Sequence, residues 1–231
     1  MSIFALAALV VVIVLALAIY PGELSWLAPG GNRWLYDRGA SSYEDKWQRH
    51  DYGPYKSLVS ESAAAVTHLG ERVRVADLAC GTGIATRTAS RHLPGDTVYV
   101  GVDYSARMLQ RFQSHIDDCP ALGALDLTLV CEDLEVWLRT IPGRFQLVML
   151  MEASEFLPSF PDSLPFLGRV CEPGGRLIMT RPAGFWSCFF PGRQQSRRAL
   201  GRGLRDAGFV DIRFIPWRGR YELVSATRAG D

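Results

Sequence analysis

Lysine is nearly missing from this 231-residue chain: Lys46 and Lys56 are the only two among its 25 basic residues. Arginine supplies the rest and offsets 24 acidic residues to leave a net charge of +1, so no broad field draws the chain to nucleic acid. Cysteine is scarce as well. The five thiols (Cys80, Cys119, Cys131, Cys171 and Cys188) are odd in number and nowhere form a Cys-x-x-Cys pair. That pattern offers neither a disulfide framework nor a zinc site, and it suits a reducing compartment. The histidines, His50, His68, His92 and His115, are isolated from one another. His115 and Cys119 could meet across one helical turn, but two ligands do not make a metal centre, and no metal is expected. The sequence holds no internal repeat and no low-complexity tract, and no charged residue precedes Glu23.

That last absence marks an apolar segment. Ile3 to Tyr20 is unbroken apolar sequence, about 18 residues, near the length at which a helix crosses a bilayer. Tyr20, Trp26 and Trp34 stand at its end or beyond, where aromatic rings favour the interface. A cleaved secretory signal would need a basic start, a shorter apolar core and a small-x-small cleavage site. Met1-Ser2 and Ala18-Ile19-Tyr20-Pro21 supply neither end of that pattern. Arg33, Arg38, Lys46 and Arg49 all follow the span, which puts the remainder in the cytoplasm by the positive-inside rule. The expectation is a single-pass anchor over residues 1–21, as in a bacterial inner membrane. Residues 22–56 follow as a juxtamembrane linker and lid, and residues 57–231 as the cytoplasmic domain.

Hydrophobic content of 48% is ample for a packed core in that domain. Strands are expected at Val73–Leu78, Thr97–Val102, Leu127–Cys131, Phe145–Met151, Arg176–Thr180, Val210–Ile215 and Tyr221–Ala226. Helices are expected at Ser57–Leu69, Ile84–His92, Ala106–Asp117, Leu134–Thr140, Leu164–Cys171 and Arg197–Ala207. Such alternation builds an α/β domain with a mostly parallel, doubly wound sheet covered on both faces. The last two strands are close enough in sequence to pair as a hairpin.

The stretch Val73-Arg74-Val75-Ala76-Asp77-Leu78-Ala79-Cys80-Gly81-Thr82-Gly83 carries the functional signal. A strand ends in an acidic residue, a loop of small residues follows, and a helix starts at Ile84. Small residues let the backbone approach a ligand, and the helix turns its free N–H groups toward it. The next strand ends in Asp103, placed to accept hydrogen bonds from ribose hydroxyls. A nicotinamide-binding loop would need glycine where this chain has Ala79 and Ile84, and Ile84 is too bulky for close helix–strand packing.

Asp77-Leu78-Ala79-Cys80-Gly81-Thr82-Gly83 resembles the first motif of class I S-adenosylmethionine-dependent methyltransferases. Val100-Gly101-Val102-Asp103-Tyr104-Ser105 resembles their second and Cys131-Glu132-Asp133-Leu134 their third. Glu172-Pro173-Gly174-Gly175-Arg176-Leu177 resembles the turn into their fifth strand, and Leu204-Arg205-Asp206-Ala207-Gly208-Phe209 a C-terminal helix-to-strand segment. Tyr36-Asp37-Arg38-Gly39-Ala40-Ser41-Ser42-Tyr43-Glu44 resembles the lid of the quinone and phospholipid methyltransferase branch. Two departures stand out. Ala79 replaces the usual first glycine, and Gln146 stands where an Asp is common.

The resemblance implies a Rossmann-like fold with S-adenosylmethionine as cofactor. It implies that Asp77, Ala79, Cys80, Gly81 and Gly83 form the cradle, and that Asp103 holds the ribose. Tyr104 and Met108 would flank the adenine, Asp133 would meet its amino group, and Leu134 would pack on the ring. Met151 would lie beside the methionine part, while Tyr36 and Tyr43 would close over the site. Glu152 and Glu155, after the fourth strand, are candidates to take a proton from a hydroxyl or attract an amine. The apolar loop Pro182–Gly192 suggests a greasy pocket wall or contact with a bilayer, and the arginines after it suit anionic headgroups. The leading expectation is a lipophilic or lipid acceptor at a membrane. The alternatives are a soluble small molecule, a protein acceptor, or a cofactor-binding protein without transfer activity; acceptor atom and oligomeric state are not legible.

Overall fold

In a computed structural model, residues 5–12, 14, 31–47, 52–141, 143–157, 160–190 and 195–230 are described. Seven strands form one sheet in the order β3-β2-β1-β4-β5-β7-β6. They are β1 (Arg74–Leu78), β2 (Val98–Asp103), β3 (Asp126–Cys131), β4 (Phe145–Leu150), β5 (Cys171–Pro182), β6 (Phe209–Trp217) and β7 (Tyr221–Arg228). β1 to β5 run parallel, and β7 inserts antiparallel between β5 and β6 as the return of the expected hairpin. The order reverses between β1 and β4. Two neighbouring strands there send their chains to opposite sides, opening the crevice in which such sheets bind ligands.

The central strands are apolar without alternation, as strands covered on both faces require. All six residues of β4 are buried. One layer packs Val75, Tyr99, Leu147 and Ile178 under helix α3 (Gly53–Val66) and helix α5 (Ala106–Ile116). The other packs Leu78, Val148, Leu177 and Val224 under α7 (Leu134–Thr140), α8 (Phe160–Val170) and α9 (Arg197–Asp206). Helix α4 (Ile84–Ala89) opens directly from the β1 loop, and α6 (Pro120–Gly123) precedes β3. Before them come α1 (Gly31–Gly39) and α2 (Tyr43–Trp47).

Several boundaries differ from expectation. Helix α3 starts at Gly53, where Pro54 pre-sets the first turn, so residue 57 lies inside a helix. Helix α8 starts at Phe160, and Cys171 belongs to β5. The Glu172–Gly175 turn is a bulge within β5: Phe145 pairs with Cys171, but Leu147 pairs with Arg176. Gln146 has its own task, since its Oε1 accepts the Arg74 N–H at 2.7 Å and ties β4 to the start of β1.

Most of the expected anchor lies outside the described residues. Of it, residues 5–12 and 14 are helical and exposed, with Leu6, Leu9, Val10, Val11, Val12 and Val14 among the exposed apolar side chains. Among the described residues no helix is long and apolar enough to cross a membrane.

Candidate active site

The loop between β1 and α4 takes three left-handed conformations, at Ala79 (φ +57°), Gly81 (φ +54°) and Gly83 (φ +81°). Ala79 thus adopts a conformation that glycine takes freely, at a strain of about 1 kcal/mol. A Cβ on Gly81 would meet nothing within 4 Å, so open space lies over the loop. A Cβ on Gly83 would lie 2.4 Å from the Phe112 ring, so only glycine lets α5 pack against the loop. The Cys80 N–H donates to the Val102 carbonyl at 3.0 Å, and its buried thiol packs where Gly101 carries no side chain.

Two buried carboxylates end the adjacent strands. Asp103 accepts the Gly81 N–H through Oδ2 and the Ser105 N–H through Oδ1, both at 2.8 Å. It therefore joins the β1 loop to the β2 turn. Burial pushes its carboxyl up to about 6 despite these donors. Asp77 accepts from the Thr86 hydroxyl at 2.7 Å and the Tyr99 hydroxyl at 3.4 Å. It braces α4 from beneath the loop, and burial pushes its carboxyl up to about 7.

The remaining expected cofactor residues surround this pair unevenly. Met108 is buried in the first turn of α5, where its N–H donates to the Ser105 hydroxyl at 3.1 Å. Asp133 is exposed and caps α7, accepting from the Glu135 N–H at 2.9 Å and the Val136 N–H at 3.4 Å through Oδ1. Leu134 packs against the α7–α9 layer, and Met151 is buried in the opposite layer.

The segment before α3 closes over the site. The Tyr36 ring lies 6.1 Å from Tyr43, 6.3 Å from Tyr104 and 6.0 Å from Phe156, and Phe156 lies 6.3 Å from Phe190. Rings from α1, α2 and the loops after β2, β4 and β5 thus meet at one place. Two polar clasps hold the segment down. The Ser105 hydroxyl donates to Asp37 at 2.6 Å. Glu44 accepts from Arg87 at 2.8 Å and lies 2.8 Å from His115 Nε2. Burial alone would raise the Glu44 carboxyl, but Arg87, Thr82 and His115 outweigh it and hold it low.

Across the crevice stand the two candidate proton acceptors. Glu152 has left-handed φ +52°, and its N–H donates to the Thr180 hydroxyl at 2.6 Å. Its carboxylate accepts from Arg218 at 2.9 Å, and Arg218 also donates to the Tyr52 hydroxyl at 2.8 Å. That guanidinium stacks 5.0 Å from both the Tyr52 and Trp217 rings. Glu155 is fully buried and accepts the Tyr221 hydroxyl at 2.8 Å. Burial, then Glu155 and Glu152, hold the Tyr221 phenol far above its usual range. Glu152 is thus fixed by a cation, whereas Glu155 faces a phenol. Asp37, Glu44, Ser105, Arg218 and Tyr221 escaped the sequence reading as site residues. Asp37 and Glu44 lay within the lid motif, but nothing local pointed to their partners.

A loop open above Gly81, with a buried carboxylate one strand away, defines a nucleotide-cofactor site of the Rossmann-like class. A family model described as a methyltransferase domain matches residues 75–175. Demethylmenaquinone methyltransferase of Symbiobacterium thermophilum is 30% identical over 204 residues, covering 78% of this chain and 79% of that one. Malonyl-[acyl-carrier protein] O-methyltransferase of Magnetococcus marinus is 33% identical over 109 residues, 47% of this chain but only 38% of that one. Magnesium protoporphyrin IX methyltransferase from Synechocystis PCC 6803, solved with S-adenosylmethionine bound, superposes with a TM-score of 0.59 at 19% identity, covering 84% of this chain and 95% of that one. The chain belongs to the class I S-adenosylmethionine-dependent methyltransferases, and S-adenosylmethionine is its cofactor.

The site suits that group. Space over Gly81 admits a ligand, Asp103 keeps acceptor capacity beside it, and two buried carboxylates favour a cationic ligand.

Proposed function

We propose that this chain is a membrane-anchored methyltransferase acting on a lipophilic small molecule or lipid, such as a quinone-like ring, an isoprenoid or a phospholipid amine. The observation that carries this reading is the aromatic roof of Tyr36, Tyr104, Phe156 and Phe190. A roof of rings excludes water and favours an apolar acceptor. The apolar run Ile3–Tyr20 supports the anchor, and similarity to a demethylmenaquinone methyltransferase supports a quinone-like ring. A soluble small molecule or a protein acceptor is the second reading, favoured by the similarity to the malonyl-[acyl-carrier protein] enzyme.

S-adenosylmethionine, when bound, supplies a methyl carbon already activated by its sulfonium. The chain's own residues then have three tasks. Asp103 and the Ala79–Gly83 loop orient the cofactor, with Met108, Tyr104, Asp133 and Leu134 around the adenine. Tyr36 and Tyr43 exclude water and present ring faces to positive charge. Glu155 takes the proton through Tyr221 when the acceptor is a hydroxyl or phenol, the Tyr221 oxygen accepting the acceptor's proton as its own passes to Glu155, and the Arg218-bound Glu152 fixes the crevice wall. In line with this division, Glu155→Gln should lower kcat by about 10²-fold or more with cofactor affinity intact.

The test is incubation of the full chain with methyl-labelled cofactor and a total lipid extract, followed by identification of the labelled species. Label in an isoprenoid, quinone or phospholipid is the expected outcome. Label confined to soluble compounds, surviving deletion of residues 1–20, would overturn the lipophilic reading. Cofactor binding with no label anywhere would point to a non-catalytic chain.

A further inference from the structure

Three parts of the molecule converge on one side of it. The loop after β5 forms a short 3-10 turn, Gly184–Phe189, in which Phe185 is 79% exposed. The Ala183 N–H donates to the Arg220 carbonyl at 2.7 Å, and the Arg220 guanidinium lies 4.6 Å over the Trp186 ring. This fixes the turn to the tip of the β6–β7 hairpin. Helix α1 is the third part: Trp34 is 59% exposed, while Tyr36 and Asp37 of the same helix dock on the site.

All three sit at the carboxyl edge of the sheet, where β5 and β6 end, β7 begins and the crevice opens. Arg33 and Arg38 of α1, Arg198 in the first turn of α9 and Arg220 at the hairpin tip are exposed and make no ion pair among the described residues. Acidic groups of the crevice, by contrast, are engaged by Ser105, Arg87, Arg218 and Tyr221. Arg38 lies 5.7 Å over the Trp34 ring, as Arg220 does over Trp186. Exposed aromatic rings beside arginines that lack a carboxylate partner are the chemistry of an anionic lipid surface. The chain's own course agrees. Residues 21–30 separate the apolar run from α1, and ten residues reach at most about 35 Å. An anchored chain therefore keeps the start of α1 within about 35 Å of the bilayer.

We propose that this face, with Trp34 and Phe185 as insertion points and the arginines as headgroup contacts, lies against an anionic bilayer, so that the crevice opens toward lipid. The proposal rests on the lipophilic-acceptor reading and adds the orientation of the domain. Under it the acceptor passes beneath the β5 turn without crossing bulk water, and the roof need only part on its lipid side.

A nitroxide on Cys188, which is exposed within the turn, reports this directly. The full chain is used with Cys119→Ser and Cys131→Ser, which leaves only the buried Cys80 and Cys171 besides Cys188. It is reconstituted into vesicles of phosphatidylcholine with phosphatidylglycerol. The label should collide preferentially with lipid-dissolved oxygen and be shielded from a water-soluble nickel chelate. Phe185→Ser combined with Arg198→Gln and Arg220→Gln should reverse that preference and leave cofactor affinity unchanged. Each arginine removed should weaken the surface contact by about fivefold, and added salt should do the same. A label open to the chelate while the chain stays on the vesicles and still methylates lipid overturns the orientation and spares the acceptor reading. A chain that neither stays on the vesicles nor labels lipid overturns both.

Discussion

The two buried carboxylates at the ends of β1 and β2 should make stability and cofactor binding respond to pH in opposite directions. Burial raises Asp77 from 3.8 to about 7 and Asp103 from 3.8 to about 6. Between pH 4 and 7 the folded chain therefore holds protons that the unfolded chain has released. Stability is highest at the acid end of this window and falls as pH rises. At 1.36 kcal/mol per pH unit, charging Asp77 costs about 4 kcal/mol and Asp103 about 3, the part due to their mutual repulsion being shared. Glu44 and Glu222, held low by arginines, act oppositely, and their contribution is lost only as pH falls through the carboxylate range. Urea unfolding followed by circular dichroism at pH 5, 6, 7 and 8 should thus show a loss of several kcal/mol. Asp77→Asn should remove the larger share of that slope. The cationic cofactor favours the ionised form of Asp103, the carboxylate beside the loop, so its affinity should rise with pH, by up to about tenfold per pH unit below 6. Stability that stays level or climbs from pH 5 to 8, or an unchanged slope in Asp77→Asn, would refute the reasoning.

Other outcomes follow from single contacts. Ala79→Gly relieves a left-handed alanine and should stabilise the fold by about 0.5–1 kcal/mol, seen as a melting point about 1–4 °C higher. Asp37→Ala removes the acceptor of the Ser105 hydroxyl and should weaken cofactor binding about tenfold, while proteolysis within residues 31–47 quickens. Global stability should change little, because the clasp holds the lid and not the core.

How much of this was legible beforehand depended on sequence distance. The strands were readable because β-branched runs ended in turn residues, and the cradle because strand, small residues and helix were contiguous. Asp103 followed from its place at the end of the second strand. What closes the site was not readable. Asp37 meets Ser105 across 68 residues, Glu44 meets Arg87 across 43, and Arg218 meets Tyr52 across 166. No periodicity encodes such pairs; the sheet order creates them. Local propensity also misjudged Ala79, since alanine disfavours positive φ and the surrounding hydrogen bonds impose it. Asp133 was read for adenine alone, although an Asp before a helix also serves as its cap.

The clasp of the cofactor's sugar by Asp103 is the claim on which the rest depends, and calorimetric titration of S-adenosylmethionine at pH 8 tests it most directly. The full chain should bind, and Asp103→Ala, losing hydrogen bonds to a charged acceptor worth about 1.5–3 kcal/mol each, should bind at least about 10²-fold more weakly. Equal affinity in an Asp103→Ala chain of unchanged circular dichroism would contradict the account.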